Sequence, residues 1–354
     1  MLSPLTAAAP LAIIAIVCAL TCLVPEQAEA AEEIVWTDAQ QLTVEGKGWT
    51  ETESFYDRLP AKAKGVVRQP VWDLSRNSSG YCVRFVTDAP SIHVKWDLRS
   101  GSLAMDHMPA TGVSGVDLYA RQPGGWRFVG VGRPTRVSNE ATFSNPGATE
   151  FSLYLPLYNG VTAVSVGVPV GKTLTAAPGR GRPILFYGTS ITQGGCASRP
   201  GMAYPAIVGR KLDAPVINLG FSGNGQMEPE LADLLAELDP SIYVLDALWN
   251  MNPQMVTERT APFVRKLRVA HPSTPIVLVE DSTVRSTPTA KGKLLRPIFE
   301  QLKQEGVKDL YFISAEGMMG PDDQGTVDGC HPTDLGFMYQ AEVFTRELKP
   351  IFGR

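Results

Sequence analysis

The chain has 354 residues, of which 44% are apolar and 19% charged, and a formal net charge of −4. That composition belongs to a globular protein and excludes the disordered and fibrous classes; the length accommodates two domains. The slight acidity, with no long basic run, excludes nucleic acid as a partner.

The first thirty residues stand apart. Residues 11–24 form an apolar run of 14 residues, too short to span a bilayer comfortably. Pro25 follows, then Ala28-Glu29-Ala30, a small-x-small cleavage pattern. The expectation is a signal peptide over residues 1–30, cut after Ala30, and a secreted or periplasmic protein with no stable membrane insertion. No Lys or Arg precedes the run, so an uncleaved anchor is the alternative. Cys18 and Cys22 lie inside the run without the pattern of a lipidated cysteine. Cys82, Cys196 and Cys330 remain, an odd number, so export permits a disulfide and leaves one thiol over. No pair has zinc-ligand spacing, and only 4 histidines occur, so neither a metal nor a cofactor is expected.

From residue 31 to residue 171 the pattern is strand and turn. Alternation marks residues 81–87, 91–96, 126–131, 151–157 and 161–170, with no convincing helix. Short strands separated by turn residues predict a β-sandwich or jelly roll. Residues 172–183, rich in Gly, Pro and small side chains, read as a linker. The rhythm then changes over residues 184–354. Strands are expected at 184–187, 215–219, 242–245, 275–279 and 310–313. Helices are expected at 202–212, 228–238, 253–270, 288–305 and 333–348. This alternation predicts an α/β domain with a doubly wound parallel sheet, helices on both faces.

Ligands in such sheets bind beyond the carboxyl ends of the strands. Ser190 follows the first strand, in Gly188-Thr189-Ser190-Ile191. The glycine turn Asn218 to Gly225 follows the second, Trp249-Asn250 the third, and Asp328-Gly329-Cys330-His331 precedes the last helix. Together they supply a hydroxyl, free backbone N–H groups, an amide, and a carboxylate three residues before an imidazole. Acyl transfer needs that set. Elimination selects His331 as the base, because His93 and His107 lie in the β-rich part and His271 belongs to the opposite sheet edge. Each element also has a plainer reading: Asp328 or Asn250 as a helix cap, Gly223 as a left-handed turn.

These residues resemble the SGNH hydrolases, or GDSL-type esterases. Ser190 matches the nucleophile of the first block, Gly223 the second-block glycine, Asn250 the third-block asparagine, and Asp328 with His331 the fifth-block acid and base. The resemblance implies an SGNH (flavodoxin-like) fold, metal-free esterase activity, and an oxyanion hole from Ser190, Gly223 and Asn250. Thr189 stands where the family usually has Asp, and Leu248-Trp249 where it has Gly-Gly. Gly115-Val116-Asp117-Leu118-Tyr119 is similar to the Gly-x-Asp-Leu-Tyr signature of a subgroup with an N-terminal β-sandwich. Tyr56-Asp57-Arg58-Leu59-Pro60 and Tyr154-Leu155-Pro156-Leu157-Tyr158 fit the same subgroup. A β-sandwich ahead of such a domain also looks like the plan of some carbohydrate esterases that remove acetyl groups.

The expected activity is therefore carbohydrate O-deacetylation on a small or polymeric acylated substrate. The alternatives are a general carboxylesterase, a lipase-like esterase or thioesterase, and a non-catalytic carbohydrate-binding protein. Arg199, Trp249, Glu280 and Asp281 are candidates to contact substrate. Cys196 and Cys330 flank the nucleophile and the base, which suggests a disulfide or two separate thiols. The long loop of residues 105–115, with Asp106, His107 and Met108, reads either as a surface loop or as a cover reaching the serine.

Overall fold

The computed structural model describes residues 32–284 and 287–352. The signal-peptide expectation for residues 1–30 lies outside them. Among the described residues no helix is long and apolar enough to cross a membrane.

Ten strands build the first half: β1 (Ile34–Asp38), β2 (Thr43–Glu45), β3 (Cys82–Thr87), β4 (Ser91–Leu98), β5 (Val116–Gln122), β6 (Gly125–Gly132), β7 (Ser138–Ser144), β8 (Glu150–Tyr154), β9 (Val161–Pro169) and β10 (Leu174–Ala176). They pair antiparallel in two sheets, ordered β1-β9-β4-β7 and β10-β3-β8-β5-β6, with β2 also on β3. Strand β4 shows why the pattern works. Ile92, Val94, Trp96 and Leu98 point inward while His93, Lys95 and Asp97 face out. Between the sheets Val94, Trp96 and Val166 meet Phe85, Leu118 and Phe151.

Two expectations need correction. Leu174–Ala176, read as linker, is a strand on β3, because Thr175 and its neighbours complete that sheet's edge. Two short helices, α1 (Gln69–Ser75) and α2 (Ala110–Val113), occur where none was expected. Each starts beside a proline and is stabilised by what it packs against, since so short a helix has little stability of its own.

The second half alternates β11 (Ile184–Gly188), α3 (Ser190–Gln193), α4 (Tyr204–Leu212), β12 (Val216–Gly220), α5 (Pro229–Leu235), β13 (Ile242–Asp246), α6 (Pro253–Ala270), β14 (Ile276–Val279), α7 (Gly292–Gln304), β15 (Leu310–Ile313) and α8 (Asp334–Leu348). The strands form one parallel sheet, ordered β12-β11-β13-β14-β15. Strand order reverses at β11, so the crevice at its carboxyl end is the topological switch point. Every residue of β11 is buried. Leu185 and Tyr187 enter one apolar layer, Ile184 and Phe186 the other, as the alternation of a strand covered on both faces requires.

The described residues from 33 onward form a single compact unit. Leu59, Val71 and Trp72 of the β-rich part share a core with Leu185, Tyr187 and Phe221; Met108, Val113 and Leu157 share the opposite core with Phe186, Ile191 and Ala197. Arg58 is 1% exposed and has no carboxylate partner. It donates instead to four backbone carbonyls, Asn77 at 3.0 Å, Leu74 at 2.7 Å, Asn218 at 3.2 Å and Gly220 at 2.6 Å. Burial lowers its pKa to about 10, so it stays a cation at neutral pH. Burying that charge costs several kcal/mol, and charge-assisted bonds of about 1.5–3 kcal/mol each offset it. The β-rich part thereby grips the end of β12, beside the glycine turn.

Candidate active site

Ser190 is the first residue of α3 and is 8% exposed. Thr189 caps that helix. Its hydroxyl accepts from the Ile191 N–H at 3.3 Å, and the Thr192 hydroxyl accepts from the Thr189 N–H at 3.2 Å. The capping box is complete without the Asp usual at this position. A first-turn N–H has no intrahelical acceptor, so the Ser190 amide is open to a ligand.

The Ser190 Oγ lies 2.8 Å from His331 Nε2, and His331 Nδ1 lies 2.8 Å from Asp328 Oδ2. The Asp-x-x-His spacing has a local cause. Asp328 Oδ1 accepts from the Cys330 N–H at 2.9 Å and the His331 N–H at 2.7 Å, leaving Oδ2 to face the ring. With Nδ1 donating to the carboxylate, Nε2 is the acceptor for the serine proton. Although burial alone would raise it, hydrogen bonds from His331 hold the Asp328 carboxyl below the usual carboxylate range. Asp328 caps no helix; Thr333 caps α8, accepting from the Gly336 N–H at 3.3 Å.

Gly223 has φ +70°, in the left-handed region, with open space where a Cβ would sit. Its turn is anchored on both sides. The Ser222 N–H donates to Gln193 Oε1 at 3.0 Å, and the Gly225 N–H donates to Asn250 Oδ1 at 3.2 Å. A Cβ on Gly225 would come within 1.9 Å of the Gly188 carbonyl oxygen, so only glycine lets this turn close on the nucleophile strand. Asn250 does not cap α6, because Asn252 does, accepting from Met255 N at 2.8 Å. With Oδ1 committed to Gly225, the Asn250 amide keeps its N–H donors for another acceptor.

Sequence reasoning passed over several residues that hold this geometry. Gln193 Nε2 donates to Asn77 Oδ1 and to the Leu157 carbonyl, each at 3.1 Å, which fixes the amide that receives Ser222. The Tyr158 hydroxyl donates to the Ser190 carbonyl at 3.2 Å. Tyr158 stood inside a quoted motif, but only the fold brings it to the serine. Asp334 accepts from Ser198 N at 2.9 Å, tying the nucleophile loop to the start of α8.

Of the four candidate substrate contacts, Arg199, Glu280 and Asp281 are engaged in hydrogen bonds within the protein, and Trp249 stands beside Asn250. Arg199 is turned away to the β-rich part, where it pairs with buried Asp117 at 2.6 Å, bonds the Tyr119 hydroxyl, and stacks 4.0 Å over Phe128. Asp117 also accepts from Gly201 N at 2.9 Å. The Asp and Tyr of the signature thus pin the segment after the nucleophile. Breaking such a buried pair costs about 3–5 kcal/mol. Glu280 is 2% exposed and accepts from Thr289 N at 2.5 Å and Ala315 N at 3.1 Å; Asp281 is buried against the Thr289 hydroxyl. Both acids hold the loop after β14 through Thr289. Trp249 stays half-buried beside Asn250, with its indole N–H on the Ser282 carbonyl at 2.8 Å and the Lys291 ammonium 5.3 Å from the ring centre.

Cys196 and Cys330 are free thiols, the second of the two arrangements the sequence left open. Burial pushes each up to about 11, which keeps both thiols protonated at neutral pH. The hydrogen bonds of Asp328 fix the histidine loop instead. Ligand atoms of Asp328, Cys330 and His331 lie within 4.8 Å of one another, but the carboxylate and imidazole atoms are already engaged with each other and with Ser190.

One buried acid lies behind the Ser190 turn. Asp246, at the end of β13, accepts from Tyr204 at 2.9 Å and Thr192 at 3.1 Å. Burial raises its pKa to about 7, against the pull of those hydrogen bonds. The folded state therefore holds a proton there that the unfolded chain loses near pH 4, and stability falls as pH rises through the window from about 4 to about 7. Asp246→Asn removes this dependence and keeps an oxygen acceptor for both hydroxyls. The expected result is a higher Tm than wild type at pH 8 and a smaller difference at pH 4.5, read by thermal melts across that range. Parallel Tm curves for the two proteins would show that Asp246 is ionised throughout.

Comparison with known proteins follows this geometry. Residues 181–349 match the GDSL-like lipase/acylhydrolase family, and residues 34–174 match the N-terminus of SGNH-hydrolase-type esterases. A Bacteroides ovatus protein described as a GDSL-like lipase is 35% identical, with a TM-score of 0.83 over 90% of this chain and 98% of its own. The salicylyl-acyltransferase SsfX3 of a tetracycline biosynthetic pathway is 18% identical, TM-score 0.73, over 91% and 98%. A family two carbohydrate esterase of Cellvibrio japonicus is 15% identical, TM-score 0.59, over 90% and 98%. No curated protein matches the chain. These matches place this chain in the GDSL-like lipase/acylhydrolase family, among the ester-bond hydrolases that carry the SGNH-esterase N-terminal domain.

Proposed function

We propose that this protein is an exported serine esterase that removes short acyl groups, acetyl foremost, from carbohydrate. The observation that carries the reading is the continuous chain Ser190 Oγ, His331 Nε2, His331 Nδ1, Asp328 Oδ2, with 2.8 Å at each hydrogen bond. His331 takes the Ser190 proton as the oxygen attacks the ester carbonyl, and Asp328 holds the ring and steadies the imidazolium. The Ser190 and Gly223 N–H groups and the Asn250 amide stabilise the oxyanion. His331 then protonates the departing alcohol, leaving an acyl-Ser190. Water attacks that ester, giving its proton to His331, and releases the acid and the free serine.

Two features support carbohydrate and a small acyl group. The Asp328 side chain is 46% exposed and that of His331 23%, so the site opens at the surface, where an acyl group on a polymer reaches it. The segment from Gly194 to Gly201 carries Gly, Ser, Arg and Pro and no long apolar side chain to hold a lipid tail. The two-part plan is also that of the Cellvibrio japonicus esterase.

Acetate release from a panel of acetylated polysaccharides, set beside p-nitrophenyl esters of increasing chain length, tests the reading. The expected result is acetate release from at least one polysaccharide and a kcat/KM that falls steadily from acetate to octanoate. A rise with chain length, with no acetate from any polysaccharide, would point to a lipase-like esterase.

A further inference from the structure

His107 belongs to the β-rich part, yet its ring lies beside the base of the triad. The His107 and His331 ring centres are 6.0 Å apart, tilted by 58°. The turn that presents His107 is closed by two backbone bonds, Met105 N to Met108 O at 3.0 Å and Met108 N to Met105 O at 3.1 Å. Met108, 2% exposed, is buried in the same core as Ile191 and Ala197 of the nucleophile segment. The helix that follows is held there too, with the Thr111 hydroxyl on the Ser198 carbonyl at 2.6 Å. The turn is therefore a fixed part of the site wall. Its tip residue, His107, is exposed, and among the described residues its ring nitrogens have no hydrogen-bond partner.

From this contact we propose that His107 binds the alcohol half of the ester. The inference rests on the esterase reading above and extends it to a leaving-group subsite supplied by the β-rich part. The departing oxygen receives its proton from His331 Nε2, so the alcohol must lie against the His331 ring and whatever adjoins it. An exposed imidazole there offers one donor and one acceptor, a match for the vicinal hydroxyls of a sugar and a poor match for an apolar chain. His107 is thus a substrate-contacting residue, and it selects polyhydroxylated leaving groups.

Two acetates with different alcohols separate this role from others. p-Nitrophenyl acetate and an acetylated xylo-oligosaccharide form the same acetyl-Ser190, so deacylation is common to both, and a residue that touches only the alcohol acts only on acylation. His107→Ala is expected to raise KM for the oligosaccharide and to lower its kcat/KM about tenfold more than that of p-nitrophenyl acetate, the scale of one or two lost hydrogen bonds. His107→Gln, which keeps a donor and an acceptor, should recover most of the difference. Equal losses on the two substrates would mean that His107 acts through His331, and no loss on either would make it a rim residue; both overturn the proposal. Failure of the underlying reading has a separate signature, seen in the wild type alone: cleavage of p-nitrophenyl acetate with no acetate from any saccharide, which removes the carbohydrate subsite as well.

Discussion

Ser190→Ala is expected to lower hydrolysis of p-nitrophenyl acetate by about 10⁴-fold or more while leaving Tm within a degree or so of wild type. The size of the loss follows from the chemistry, because without Oγ there is no acyl-enzyme and His331 has nothing to deprotonate but water. The intact fold follows from the local structure. Thr189 and Thr192 cap α3, and the carbonyl of residue 190 would still accept from Tyr158, Gly194 and Gly195, because those bonds use backbone only on this side. The Ser190 side chain has one hydrogen-bond partner, His331. Steady-state assay with a thermal melt checks both halves. Wild-type turnover by the variant would remove Ser190 from the reaction.

Asn250→Ala should lower kcat by about 10²–10³-fold with KM little changed, the signature of a donor used only as charge develops on the oxyanion. Asn250 also holds the Gly225 N–H through Oδ1, so truncation alone leaves a structural explanation open. Asn250→Asp resolves it, since the carboxylate still accepts from Gly225 but has no N–H to offer. The expected result is a kcat as low as that of Asn250→Ala, with a Tm close to wild type. Recovery of kcat in the Asp variant would assign Asn250 to the turn and not to the oxyanion hole.

The parallel sheet was legible because four of its five strands are buried along their whole length. Its apolar runs, Ile184 to Tyr187 among them, are hard to place anywhere else. The triad candidates were legible for a related reason, since chemistry at a sheet edge falls just after strands and His331 was the one histidine suitably placed. The helix at residues 69–75 was not legible, because its stability comes from Val71 and Trp72 packing on the parallel sheet, a contact distant in sequence. The charged candidates share one ambiguity. Arg199, Glu280 and Asp281 follow strands as a substrate-binding residue would, but a charge near an edge serves equally well to anchor a loop. Only the partners distinguish the two uses: Asp117 for Arg199, Thr289 for both acids.

By itself, the order of residues determined the two architectures, the place of Ser190 after the first parallel strand, and the spacing that lets Asp328 hold both the backbone and the ring of His331. These are local properties, set by side-chain period and by hydrogen bonds spanning three residues. Only the tertiary structure decided how the two halves join. Asp117 and Arg58, quoted first as marks of a subgroup, act across the junction. One pins the segment after Ser190, and the other clamps the carbonyls before the Gly223 turn. His107, set aside as part of the β-rich half, comes to lie against the His331 ring. Such contacts join residues many positions apart in sequence, and their free energy depends on burial, which chain order does not reveal until the chain is packed.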